Sequence, residues 1–169
     1  MKTRGLGASI YLAVLIIGMI VLTGCAGGGK ETPSANHFEA GGVSFDYPGT
    51  WETVSPSSQY AIVTIADSQV KTIWIAVEKR AIPAGYTLKG FNDELVIGMK
   101  PAQVISGTFP TIAGVTACET VFKTDDSQVK VVNLEKDGNM YTILCSAPAT
   151  AFANAQTSFN KVINSFKFQ

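Results

Sequence analysis

The chain has 169 residues, with 13 Lys and Arg against 13 Asp and Glu, so its formal net charge is zero. At 46% hydrophobic and 15% charged residues, it is too apolar for intrinsic disorder and lacks the basic excess of a nucleic-acid binder. A single His and three Cys leave little material for His-rich metal sites or His-based catalysis.

Charge is unevenly placed. Lys2 and Arg4 open the chain, and no further charged residue occurs before Lys30. Between them runs the apolar stretch Ile10 to Leu22, followed by Thr23, Gly24 and Cys25. A basic start, an apolar segment and a small-residue exit describe a secretory signal peptide over residues 1–24. Leu22-Thr23-Gly24-Cys25 resembles the lipobox of prokaryotic lipoproteins, which implies Cys25 as the lipid attachment site and new N-terminus. The uncharged stretch Gly5 to Gly24 is also long enough for an uncleaved span, but its glycines and the Cys at its end favour cleavage. Each buried methylene of an acyl chain contributes about 0.8 kcal/mol, and stable anchoring takes two chains. A diacylglyceryl Cys25 has two. The expected location is therefore the extracytoplasmic face of a cell membrane, and loss of Lys2 and Arg4 leaves the mature chain mildly acidic.

Residues 25–37 are rich in Gly, Ser and Pro and read as a flexible tether with His37 at its end. The folded domain is expected over 38–169. Val43 to Tyr47 alternates apolar with polar residues, a half-buried strand closed by Pro48-Gly49, and Trp51 to Val54 reads as its short continuation. Tyr60 to Ile65 and Val70 to Val77 flank Asp67-Ser68-Gln69 and predict a hairpin. Ile73 to Val77 is apolar on both faces, as in a covered central strand. The period then changes. Leu88, Phe91, Leu95, Val96 and Met99 have helical spacing, with Thr87 as N-cap and Pro101 as the stop.

Gln103 to Phe109, Val115 to Lys123, Val129 to Glu135 and Met140 to Ala147 read as strands. Asp125-Asp126-Ser127 and Asp137-Gly138-Asn139 make the tight connections. A second helix carries the stripe Phe152, Phe159, Val162, Ile163 and Phe166, and the chain runs out extended through Phe168. Strands, helix, antiparallel meander and helix predict an α+β domain: an antiparallel sheet of about six to seven strands with helices packed on its faces.

Phe45-Asp46-Tyr47-Pro48-Gly49-Thr50-Trp51, the helix after Thr87, Gly114 before its strand, Lys136 to Tyr141 and the ending Phe159 to Phe168 together resemble the PsbP-like lipoprotein family (PsbP/DcrB type) across Phe38 to Phe168. The resemblance implies an antiparallel sheet sandwiched between helices. It implies no activity, because members of that fold do unrelated things.

There is no Gly-x-Ser-x-Gly, P-loop or Gly-x-Gly-x-x-Gly motif, and no catalytic, cofactor-binding or metal-ligating residue is assigned. Asp93-Glu94 and Asp125-Asp126 are adjacent carboxylates expected at a solvated helix start and turn. Cys118 and Cys145 would fall on opposite neighbours of the Val129 strand, roughly 9.5 Å apart, beyond the reach of a disulfide. They are expected to be buried free thiols. Trp51, Trp74, Phe91, Phe152 and Phe159 occupy core positions, whereas Tyr60 and Tyr86, near element ends, are the better candidates for exposure. The expected function is non-enzymatic: a lipid-anchored domain that binds an envelope protein partner or assists assembly, with no cofactor and no nucleic acid. The alternative is a small-ligand or lipid binder with a pocket between sheet and helix; the third reading is a carboxylate-dependent hydrolase.

Overall fold

The computed structural model describes residues 35–169. The expected signal peptide, Cys25 and residues 26–34 of the expected tether lie outside the described residues. Within them, the chain forms strands β1 (Ala35–Ala40), β2 (Val43–Pro48), β3 (Trp51–Val54), β4 (Ala61–Asp67) and β5 (Trp74–Ala81), then helix α1 (Leu88–Gly98). Strands β6 (Gln103–Thr108), β7 (Thr111–Ile112), β8 (Val115–Lys123), β9 (Ser127–Lys136) and β10 (Asn139–Pro148) follow, then helix α2 (Phe152–Ser165) and strand β11 (Lys167–Phe168). Every strand pairing is antiparallel. An eight-stranded sheet runs β3-β4-β5-β10-β9-β8-β6, with β7 beside β8, and a separate three-stranded sheet runs β1-β2-β11.

The apolar pattern explains the layers. Ile75 and Val77 of β5, Val132 and Leu134 of β9, and Ile143 and Cys145 of β10 point to one face of the large sheet. There they meet Phe152, Phe159, Val162 and Ile163 of α2, together with Val43 and Phe45 of the small sheet. Trp51 contacts Phe159 edge-on, with ring centroids 6.4 Å apart. Ala76, Val131, Leu144 and Phe122 point to the opposite face, where Val96 of α1 covers them. Alternate residues of the same strands are thus buried under different helices, and that is why Ile73 to Val77 reads as apolar on both faces.

Local chemistry sets the boundaries. Thr87 caps α1, its Oγ1 accepting the Gly90 N–H at 3.1 Å. Asp137 and Gly138 have φ values of 49° and 71°, the left-handed pair that a two-residue hairpin between β9 and β10 requires. Gly41 (φ 64°) turns β1 into β2, and a Cβ there would sit 2.6 Å from Ile62 Cγ2.

Three expectations are corrected. The structured region begins within the expected tether: β1 starts at Ala35, where the Asn36 amide donates to the Trp51 carbonyl at 3.4 Å and Phe38 stacks on Phe45 at 5.0 Å. Trp51–Val54 does not continue the preceding strand but crosses to the large sheet and pairs with β4. The strand expected from Val70 starts only at Trp74, because the Asp67 carboxylate accepts the Gln69 and Val70 N–H groups at 2.8 and 2.9 Å and closes a turn there.

Candidate functional site

Helix α1 is the one helix on its side of the large sheet among the described residues, and it lies across β8 and β9. A single helix cannot cover a sheet this wide, so a hollow opens along each flank. The helix period divides its residues between them. Phe91, Glu94, Leu95 and Gly98 line the hollow toward β5, and Lys89, Asp93, Val96 and Ile97 the hollow toward β6.

The β6-side hollow has a volume of about 420 Å³ and is bounded by Val104, Gly107, Thr108 and Phe109, with Cys118 and Thr120 at its floor. Its rim holds Ile97, 70% exposed, Phe109, 57%, and Val104, 55%, and the next residue of β6, Ile105, is 45% exposed. β6 is an edge strand of the sheet, and all six of its residues are exposed. A register shift between Val104 and Ser106 kinks this edge, a device that blunts open pairing without hiding side chains.

The β5-side cleft is more polar, with a volume of about 710 Å³ between Tyr60, Arg80, Pro83 and Tyr86 on one side and α1 on the other. The Arg80 guanidinium lies 4.3 Å from the Tyr60 ring centroid and 5.4 Å from that of Phe91. Its Nη2 donates to Glu78 Oε2 at 2.5 Å, and Ser58 Oγ donates to Glu78 Oε1 at 2.6 Å. Across the cleft, Tyr86 Oη donates to Glu94 Oε2 at 2.6 Å; that hydrogen bond and the charge behind it push the Tyr86 hydroxyl pKa up.

Between the hollows α1 is held by a buried polar chain. Thr142 Oγ1 donates to Asn133 Oδ1 at 2.6 Å, Asn133 Nδ2 to Asn92 Oδ1 at 3.0 Å, and Asn92 Nδ2 to Thr120 Oγ1 at 2.9 Å. Asn133 and Thr142 are fully buried, and Asn92 is 3% exposed. Strand register places Glu78, Thr142, Asn133 and Cys118 in one row beneath the helix.

The sequence-derived candidates distribute as follows. Tyr60 and Tyr86 are exposed and line the same cleft. Trp51, Phe91, Phe152 and Phe159 are buried, and Trp74 is half-buried against the α1-side core. Asp93 pairs with Lys89 at 2.5 Å while Glu94 bonds Tyr86, so these neighbouring carboxylates turn to different hollows. His37 stands in β1 opposite Asp46, its Nδ1 2.7 Å from Asp46 Oδ1 on the exposed surface. Cys118 and Cys145 are free and buried, on strands separated by β9 and on opposite sheet faces. Burial pushes both thiols up. Among the described residues no group of three His, Cys, Asp or Glu is placed to hold a metal ion. The residues that sequence reasoning missed are Arg80, Glu78, Asn92 and Asn133. Asn133 had a signal: an amide inside the apolar run Val131-Val132-Asn133-Leu134.

The model of the PsbP-like protein family matches residues 29–168. The chain belongs to the PsbP-like family. Among solved structures, this PsbP-like domain is similar to cyanobacterial PsbP (CyanoP) from Synechocystis sp. PCC 6803, at 18% identity and a TM-score of 0.63, covering 88% of this chain and 99% of that one. It is also similar to LpqN of Mycobacterium tuberculosis, described as involved in cell envelope biogenesis, at 14% identity and a TM-score of 0.57, covering 80% and 90%. A protein from Bacteroides thetaiotaomicron shares 12% identity at a TM-score of 0.55, covering 82% of this chain but 49% of its own. At these identities what is shared is the fold. No curated protein sequence matches the chain.

Proposed function

We propose that this PsbP-like domain is a non-enzymatic, lipid-anchored module on the extracytoplasmic face of a membrane, and that it binds a protein partner through the groove between α1 and β6. The observation that carries the reading is the clustering of exposed Ile97, Val104 and Phe109 around one hollow, with exposed Ile105 next to Val104 on the same edge strand. Scattered exposed apolar residues need no explanation, but a contiguous patch marks an interaction surface. The anchor is read from Lys2 and Arg4, the apolar run and Leu22-Thr23-Gly24-Cys25. Among the described residues no helix is long and apolar enough to cross a membrane. The similarity to LpqN, described as involved in cell envelope biogenesis, is consistent with an envelope setting.

The test is site-specific photocrosslinking in the native membrane. A photoreactive phenylalanine analogue at Phe109 is expected to give one discrete adduct, lost when Val104→Asp is added. The same analogue at exposed Asn164, on α2 across the sheet, is expected to give none. Equal labelling from both positions would refute the groove as the docking surface.

A further inference from the structure

The cleft on the other flank of α1 has a different chemistry. Among the described residues, Arg80 Nε is the one buried side-chain nitrogen or oxygen atom with no hydrogen-bond partner. Such an atom in an otherwise satisfied fold calls for an explanation. The Arg80 side chain is 24% exposed and lines the cleft. Of the five N–H groups that a guanidinium offers, the hydrogen bond to Glu78 uses one. Tyr60 and Phe91 flank the guanidinium and hold it in a fixed plane, the arrangement in which arginine recognises a carboxylate through paired hydrogen bonds.

The opposite wall supplies the complementary group. Glu94 is exposed, and Tyr86 Oη fixes its Oε2 at 2.6 Å, leaving Oε1 without a side-chain partner. Phe91, Leu95 and Met99 line the same cleft and give it an apolar wall. The volume, about 710 Å³, is within the range of small-molecule sites, which pair an apolar lining with a few placed polar groups. Charge then selects the ligand. Glu78 already balances Arg80 from behind, so a simple anion would enter a cleft whose net charge Glu94 makes negative. A simple cation would leave the guanidinium N–H groups unmatched. A molecule with both charges satisfies both walls.

We propose that this cleft binds small zwitterions of the amino-acid or short-peptide class, carboxylate toward Arg80, ammonium toward Glu94 and an apolar side chain over Phe91 and Met99. This site is independent of the protein-binding groove on the far flank of the helix.

The experiment is calorimetric titration of the mature protein with leucine, trileucine, N-acetyl-trileucine and trileucine amide. Leucine or trileucine is expected to bind, and whichever is tighter distinguishes a free amino acid from a peptide as the source. Each cap is expected to weaken trileucine by about tenfold or more, the scale of one lost charge-assisted contact. Glu94→Gln is expected to abolish the preference for the free amine over its acetylated form while leaving the preference for the free carboxylate intact. Arg80→Lys is expected to do the reverse. If Arg80→Lys does not fold, the surface variant Glu94→Gln carries the test by itself. No binding of leucine or trileucine, or binding indifferent to both caps, would overturn the proposal, as would an unchanged amine preference in Glu94→Gln.

Discussion

Asn133 is where a single side chain determines how α1 is held. Replacing it with Ala removes both the donor to Asn92 Oδ1 and the acceptor of the Thr142 hydroxyl, bonds of 3.0 and 2.6 Å in a fully buried setting. Each group left unsatisfied costs about 1–3 kcal/mol, and the missing amide leaves a small void, so Asn133→Ala is expected to cost about 3–5 kcal/mol. A domain of this size has about 5–15 kcal/mol in total, so the variant folds but is markedly weakened. In urea unfolding, with a slope of about 2 kcal/mol per molar, the midpoint falls by about 2 M. Thr120 terminates the chain and orphans only the Asn92 Nδ2 donor, so Thr120→Val is expected to cost about 1–2 kcal/mol. If Asn133→Ala costs less than about 1 kcal/mol, or no more than Thr120→Val, the chain is not the buried, mutually dependent unit described and the reasoning fails.

Other outcomes follow from the same structure. Thr87→Ala removes the cap on Gly90 N and is expected to lower stability by about 1 kcal/mol, read as a shift in urea midpoint; no shift would mean that the helix start is held by packing instead. Ellman titration is expected to find neither Cys118 nor Cys145 reactive in the native domain and both reactive in denaturant without reductant; appearance only after reduction would establish a disulfide. Burial raises both thiols above their ordinary value of 9.0, so above about pH 9 the unfolded chain gives up protons that the folded one retains, and stability declines as pH rises. Cys145→Ala is expected to flatten that alkaline slope, and an unaltered slope would assign it to other groups. Cys25→Ser is expected to abolish both processing and partition into a detergent phase, and unchanged processing would sink the lipobox reading.

The elements were legible wherever local chemistry and burial coincide. Thr87, the spacing of Phe91 and Val96, and Asp137-Gly138 fix their structures within a few residues of sequence, and each is found as read. Partition into two sheets was not legible. Whether Trp51 continues β2 or crosses to β4 depends on Phe159, more than a hundred residues away. Strand β1 was missed for a related reason: its composition is that of a linker, and its pairing is specified by β2 and by Phe38 on Phe45. The candidate site was half visible. Tyr60 and Tyr86 were legible as exposed aromatics because they fall at element ends. Arg80 and Glu78, two residues apart on one strand, match no motif that would single them out. Only the fold reveals that Glu78 is 4% exposed and that α1 brings Phe91 over the guanidinium.

The small sheet has a consequence for the order in which the chain takes shape. β2 pairs on one side with β1, made immediately before it, and on the other with Lys167 and Phe168. Phe45 stacks within 6.4 Å of Phe166, which in turn meets Phe168 at 5.5 Å. A chain emerging from its N-terminus therefore exposes Val43 and Phe45 until residues more than a hundred positions later have been made. Closing so long a loop is slow, and none of its contacts reward the chain until both ends are present. The small sheet is thereby postponed until residues 166–168 have been made. A polypeptide read as an export substrate would stay threadable until β11 arrives, and its small sheet would lock only then.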